Sequence, residues 1–346
     1  MDLEALRERS RIFREVRAFF DARGYLETDT PVLAPSLIPE TCLEVFQTEY
    51  LAPKGSRSRP SAVPYWLVPS PELWMKRLLA QHGTSIYQIC KCFRNGESTG
   101  RLHSPEFTML EYYTVGVDYE ESLRITEGLF RAVLPPNAPP NIRPPFLRME
   151  MDEAFSLYAG FPLYGTVFPD GDTGTQDTAN RDARNQDAEK GAARLEREAR
   201  RLGLDPPPGL GLADLYNLIF VHAVEPRLPR DRPVVLMDYP AFVPCLAKDR
   251  NCRSKERWEL YVNGIELANC YTEETRPEKV RAYFETEGAK KGVAAMVPHA
   301  TDPDYWNIFA AARFPACSGV AMGLDRLVMV SEGKASIDSV LPFPMS

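Results

Sequence analysis

The sequence predicts an α+β protein in which helices flank an antiparallel sheet. Three observations carry that prediction. The opening segment has helical periodicity, and two β-rich runs, 86–95 and 107–115, are separated by a short polar loop. Strands and helices do not alternate in the βαβ manner that a doubly wound sheet requires.

Taken in order, Leu3, Leu6, Ile12, Phe13, Val16, Phe19 and Phe20 recur mostly at helical spacing, which predicts an amphipathic helix closed at Gly24. Tyr25 to Val32 reads as a short extended stretch. Residues 52–64, rich in Pro, Ser and Arg, read as a mobile hairpin tip. Ser70-Pro71-Glu72 opens a second helix, LWMKRLLAQH. The runs 86–95 and 107–115 read as an antiparallel pair joined by the eleven-residue polar loop 96–106. A helix over 119–133 ends at PPNAPPNIRPP. The polar stretch at about 165–191, rich in Asp and Asn, reads as a mobile insertion, either disordered or a solvated cover. Helical patterns resume at 192–202 and 212–223, and 234–238, 257–263 and 265–270 read as strands. SGVAMG followed by LDRLVMVSEG is a strand, a glycine turn and a helix. No internal repeat is visible.

With 346 residues and 44% hydrophobic content the chain can bury one large core. Its net charge of −7 argues against an affinity built on covering a phosphate backbone, and so against tRNA as partner. No apolar run reaches the roughly 18–20 residues that span a bilayer. The N-terminus mixes charged and apolar residues, so the reading is cytoplasmic, with no membrane partner. Seven scattered cysteines without a CxxC pair read as reduced thiols. Cys90 and Cys92 would share one face of a strand, as packing rather than as metal ligands.

Three constellations carry chemistry. Arg94-Asn95-Gly96-Glu97, His103, Phe107, Glu111 and Tyr113 would line one cleft from two adjacent strands. An arginine fork there suits phosphate or carboxylate oxygens, and a phenylalanine face suits a purine. Glu259 and Glu266, with Asn269, Tyr271 and Glu273 beyond, put two carboxylates where Mg²⁺ could be held together with ATP phosphates. Gly319, Ala321 and Gly323 let a substrate lie against backbone, and Arg326 at the next helix start could reach a terminal phosphate.

These strings resemble a known family. Arg94 with Phe107 and Glu111 is similar to motif 2 of the class II aminoacyl-tRNA synthetases, GLDRLVMV with Arg326 to motif 3, and GYLETDTP with Pro31 to motif 1. SPELWMKRL, HSPEFTMLEYY and ELYVNGIELAN resemble the lysyl branch, over about residues 8–164 and 230–342. Motif 1 begins near residue 11, so the expectation is a single catalytic domain over 1–346 without the anticodon-binding OB-fold, a domain of roughly 100 residues. That layout is similar to the elongation factor P β-lysine ligases, and Ala321 matches them where lysyl-tRNA synthetases have glycine.

The resemblance implies activation of (R)-β-lysine by ATP with Mg²⁺, transfer to a lysine side chain of elongation factor P, and a homodimer built on motif 1. The alternative is a compact lysyl-tRNA synthetase-like enzyme that acylates tRNA or another acceptor with lysine. A non-catalytic amino-acid or nucleotide sensor is a third reading, against which Arg94, Glu259, Glu266 and Arg326 stand. By resemblance, Arg94, Glu97, His103, Phe107, Glu259 and Arg326 bind ATP. Glu259 and Glu266 hold the metal, and Arg94, Glu259, Glu266 and Arg326 act in catalysis. Glu72, Glu111, Tyr113, Asn269, Tyr271, Glu273 and Ala321 line the amino-acid pocket. Two departures stand out: Gly96 precedes Glu97 where the family reads FRNE, and Asn269-Cys270-Tyr271 replaces Asn-Gly-Phe.

Overall fold

The computed structural model describes residues 3–52, 61–97, 100–169, 181–310 and 314–344. The chain divides into two compact units, Met1–Ala138 with Leu267–Ser346, and Pro139–Glu266. The first begins with α1 (Leu3–Asp21), β1 (Leu26–Glu27), β2 (Leu33–Ala34), β3 (Gln47–Ala52), β4 (Ser61–Leu67), α2 (Glu72–His82), β5 (Ile86–Phe93), β6 (Glu106–Val115) and α3 (Tyr119–Val133). The second holds β7 (Leu147–Glu150), α4 (Met151–Tyr158), α5 (Leu163–Val167), α6 (Arg181–Arg201), α7 (Leu212–Ile219), β8 (Val234–Pro240) and β9 (Ser254–Val262). The chain then runs through β10 (Ile265–Thr272), α8 (Pro277–Ala294), β11 (Cys317–Gly323) and α9 (Leu324–Ser331).

In the first unit the strand order is β1-β5-β6-β11-β10, antiparallel except for the β1–β5 pair. The apolar stripe of α1 buries Ala5, Ile12, Val16, Phe19 and Phe20. Phe20 stacks on Tyr87 and leans over Tyr112, ring centroids 4.8 Å apart in both pairs. The Tyr112 hydroxyl shares a 2.6 Å hydrogen bond with Thr126 of α3, so α1 and α3 cover one face of the sheet. Because side chains alternate across a strand, Glu111 and Tyr113 point to the other face. The hairpin β3–β4 pairs antiparallel, with β2 on the outer side of β4. Most of the expected mobile tip, 53–60, lies outside the described residues.

Asp325, 1% exposed in the first turn of α9, ties three elements together. It accepts the Thr108 N–H of β6 at 2.6 Å and pairs with Arg9 of α1, which also donates to the Thr108 hydroxyl at 2.8 Å. No closed barrel occurs among the described residues, and none of the described helices is long and apolar enough to cross a membrane.

In the second unit β8 pairs antiparallel with β9 and parallel with β7. Its core stacks Phe155 on Tyr216 at 5.4 Å and Tyr216 on Phe220 at 5.9 Å, with Leu195 and Ala199 of α6 buried beside them. Helix α6 starts at Arg181 rather than 192, and 163–167 is also helical, so the ends of the expected insertion have regular structure. Residues 170–180 of that stretch lie outside the described residues. Leu195 and Ala199 recur at helical spacing, and surface pairs such as Arg200–Glu196 at 2.8 Å add to an otherwise polar helix.

Replacing Asp325 by Ala strips a half-buried arginine and a buried N–H of their acceptor. The expected loss is about 3–5 kcal/mol of unfolding free energy in urea titration. A loss below about 1 kcal/mol would remove this carboxylate from its structural role.

Candidate functional site

The end of β5, the start of β6 and the loop between them gather one group of predicted residues. The Arg94 N–H donates to Pro105 O at 3.0 Å, which fixes the chain where it leaves β5. Its guanidinium sits 5.2 Å from the centre of the Phe107 ring and 3.7 Å from the Glu97 carboxylate. Its Nε is buried without a hydrogen-bond partner among the described residues. Gly96 has φ of +68°, a left-handed turn that glycine adopts freely, and this turn accommodates the departure from FRNE while leaving Glu97 beside Arg94. Arg326 donates through Nε to Leu102 O at 3.1 Å. Burial lowers the pKa of His103, and the Arg326 and Arg94 charges push it the same way against Glu97. Arg94, Glu97, His103, Phe107 and Arg326 therefore form one cationic, aromatic-walled cluster suited to a polyphosphate with a flat base.

A second group is ordered by strand register. Gln88 of β5 lies opposite Glu111 of β6, Glu111 opposite Ala321 of β11, and Ala321 opposite Asn269 of β10. The parallel row runs Ile86, Tyr113, Gly319 and Tyr271. Gly319 is required there: an added Cβ would lie 2.5 Å from the Tyr113 ring and 2.6 Å from Glu273 Oε1. The Tyr113 hydroxyl donates to Glu111 Oε1 at 2.6 Å, and Glu111 Oε2 is buried with no hydrogen-bond partner among the described residues. Glu111 is only 3% exposed, and burial, then the nearby Glu72 charge, pushes its carboxyl well above the usual range.

Lys76, which the sequence reading passes over, lies at the centre of this group. It is 1% exposed, and its Nζ is 2.6 Å from both Glu72 Oε1 and Glu273 Oε2. Burial works against its charge, but Glu273 and Glu72 outweigh it and hold the ammonium protonated. Burial pushes Glu273 up to about 7 despite Lys76. The only signal in the sequence is Glu72 four residues before Lys76, a pattern that usually marks an exposed helix pair. Glu72, Glu111, Tyr113, Asn269, Tyr271, Glu273 and Ala321 are thus brought to one face of the first unit. Three carboxylates there face one internal ammonium.

Glu259 and Glu266 belong to the second unit, on either side of the turn Asn263-Gly264, whose positive φ values of 56° and 77° suit a two-residue hairpin. Glu259 Oε2 accepts from the hydroxyls of Tyr239 at 2.5 Å and Tyr261 at 2.7 Å, while Oε1 pairs with Arg257. Each oxygen offers two lone pairs, so Oε1 keeps one direction for a further partner. Among the described residues no group of three or more metal-ligating side chains is present. Mg²⁺ does not require one, since it binds through one or two carboxylates and completes its shell with water and phosphate. Carboxylate oxygens are the donor type that such an ion takes. Cys90 and Cys92 are free thiols with Sγ atoms 3.8 Å apart, and Cys92 packs 4.0 Å from Met109 Sδ.

The family model for tRNA synthetases class II (D, K and N) matches residues 3–346. The chain belongs to the class II aminoacyl-tRNA synthetase family. Within the family it is 34% identical to the elongation factor P–(R)-β-lysine ligase of Vibrio vulnificus strain YJ016, over 99% of this chain and 96% of the relative. It is 32% identical to the ligases of the same name from Proteus mirabilis strain HI4320, over 98% and 94%, and Avibacterium paragallinarum, over 99% and 95%. The chain belongs to this ligase branch of the family.

Lys76→Met removes the ammonium between Glu72 and Glu273 while keeping much of the volume. The expected result is a loss of about 3–5 kcal/mol at pH 8, measured by urea titration, that shrinks toward pH 5 as the orphaned carboxylates take up protons. A loss independent of pH would mean that Lys76 acts through packing alone.

Proposed function

We propose that this chain activates (R)-β-lysine with ATP as an aminoacyl-adenylate and transfers the acyl group to a lysine side chain of elongation factor P. The observation that carries the substrate class is Glu111 Oε2, a buried carboxylate oxygen with no hydrogen-bond partner among the described residues, beside two further carboxylates and one lysine. A buried acceptor of this kind is satisfied by a ligand ammonium and left unsatisfied by a neutral side chain. The acceptor and the β-amino acid rest on the named activity of the relatives and on Ala321.

In the first step the substrate carboxylate, already ionised at neutral pH, attacks the α-phosphorus in line. The new C–O–P bond forms as the bond to pyrophosphate breaks. Arg94 neutralises charge at the α-phosphate, Phe107 stacks on adenine, and Glu97 accepts from the adenine amino group. His103 and Arg326 take the outer phosphates. Glu259 and Glu266 would hold Mg²⁺, which when bound screens phosphate charge. In the second step the acceptor amine attacks the mixed anhydride and AMP leaves. Glu72, Glu111, Tyr113, Asn269, Tyr271, Glu273 and Ala321 hold the amino acid throughout. The chain is one catalytic domain, working as a homodimer in the cytoplasm without tRNA as acceptor.

The test is ATP–pyrophosphate exchange with (R)-β-lysine and L-α-lysine side by side, followed by transfer to elongation factor P or tRNA. Exchange favouring β-lysine with acylation of the protein is expected. Preference for α-lysine with transfer to tRNA would replace the ligase by a synthetase. Arg94→Ala and Glu266→Ala should each lower exchange by about a hundredfold or more, and unchanged exchange would remove them from catalysis.

Binding an ammonium requires ionised carboxylates, whereas burial favours their protonated forms, with Glu273 pushed up to about 7. The KM for the amino acid should therefore fall as pH rises from about 6 to about 8 while the KM for ATP changes little. A flat profile for the amino acid would contradict the carboxylate pocket.

A further inference from the structure

Two thiols and a thioether meet where β5 lies against β6, and none of the roles above uses them. Cys90 and Cys92 alternate to the same side of β5, and their direct partners on β6 are Met109 and Phe107. Gln88 and Glu111 form the next pair, so the sulfurs share the face that carries Phe107 and Glu111. The Sγ atoms of Cys90 and Cys92 are 3.8 Å apart, and Cys92 Sγ is 4.0 Å from Met109 Sδ. Cys92 and Met109 are buried, whereas Cys90 is half-buried and gives the cluster its access to solvent.

The cysteine pair alone reads as strand packing, and Met109 changes that reading. It adds a soft donor outside the His, Cys, Asp and Glu side chains, of which no group of three stands together among the described residues. An ion bound to sulfur at about 2.3 Å holds its ligand sulfurs about 3.8–4.0 Å apart, in tetrahedral or trigonal geometry. Both observed separations match that spacing. A disulfide fits less well. It needs sulfurs about 2.05 Å apart, and residues two apart on a strand have Cα atoms about 6.7 Å apart, at the far end of the disulfide range. The β5–β6 register runs unbroken from Ile86–Tyr113 to Phe93–Glu106, with no bulge to bring the two residues closer.

Donor type selects the ion. Mg²⁺ and Ca²⁺ take oxygen, and Zn²⁺ takes thiolate, imidazole and carboxylate, whereas a thioether beside two thiolates suits Cu(I). We infer that Cys90, Cys92 and Met109 form a Cu(I) site entered past Cys90. On binding, three Cu–S bonds form, the two thiols release their protons to solvent, and copper stays in the Cu(I) state. The site does not rest on the ligase reading.

The test titrates full-length, reduced protein with Cu(I) in the absence of oxygen, against a chromogenic Cu(I) chelator. One ion per chain should be taken from the chelator. Cys42 and Cys252 are exposed and Cys245 is half-buried, so these thiols are the ones open to adventitious capture. Replacing all three by Ser should leave the affinity unchanged. In that background Cys90→Ser should weaken binding by more than the roughly 10–100-fold that loss of an outer-shell partner costs. Met109→Leu, which keeps the volume and so the fold, should weaken it by about tenfold or more. Unchanged affinity in Met109→Leu overturns the three-sulfur site. Binding lost with the three outer cysteines marks an adventitious ion only, and wild type that leaves all Cu(I) with the chelator overturns the inference outright.

Discussion

The ammonium of Lys76, buried between Glu72 and Glu273, is the charge around which this face of the first unit is arranged. Without it, helix α2 would bring Glu72 toward two buried carboxylates, Glu111 and Glu273, with no internal cation among them. With it, the pocket remains short of positive charge, because one ammonium cannot neutralise three carboxylates. Burial, with the Glu72 charge added, raises the carboxyls of Glu111 and Glu273, and Glu111 keeps an oxygen without a hydrogen-bond partner among the described residues. Charge imbalance in a low-dielectric site is a stored preference for a cationic ligand.

Strand register turns that preference into a shape. Side chains alternate along β6, β10 and β11, so direct pairing brings Glu111, Ala321 and Asn269 into one row and Tyr113, Gly319 and Tyr271 into the next. A slip of one residue would send the whole set to the opposite face, where α1 and α3 pack. Asp325 guards against such movement at the end of β11, since it binds Arg9 and the Thr108 backbone together. The Arg94 cluster and the carboxylate cluster thus share β6, with Phe107 and Glu111 on the same strand.

Much of this was legible in the sequence, and the reasons for the rest are physical. The pairing of 86–95 with 107–115 followed from two β-rich runs, and period two placed Glu111 with Tyr113 and Asn269 with Tyr271. The strings around Arg94, Glu266 and Arg326 placed the chain in its family. Lys76 was invisible because a Glu–Lys pair at helical spacing reads identically on a surface and in a core. The partners of Glu259, namely Tyr239, Tyr261 and Arg257, depend on the β8–β9 register. The parallel β7–β8 pair and the early start of α6 depend on packing in the second unit, which a polar sequence does not announce.

The tight seat of Tyr113 over Gly319 has a consequence for fidelity. The phenol occupies the space a Cβ would fill, and its hydroxyl is committed to Glu111, so the pocket has little freedom to close around a neutral side chain. An apolar amino acid of the same length would enter without quenching the carboxylates and would leave them desolvated. Sites built to hydrogen-bond a polar group reject analogues lacking it by about 10⁴–10⁵, far more than a hydrophobic pocket gains from shape. A site with discrimination of that size at entry has no need of a second, hydrolytic proofreading step against neutral amino acids.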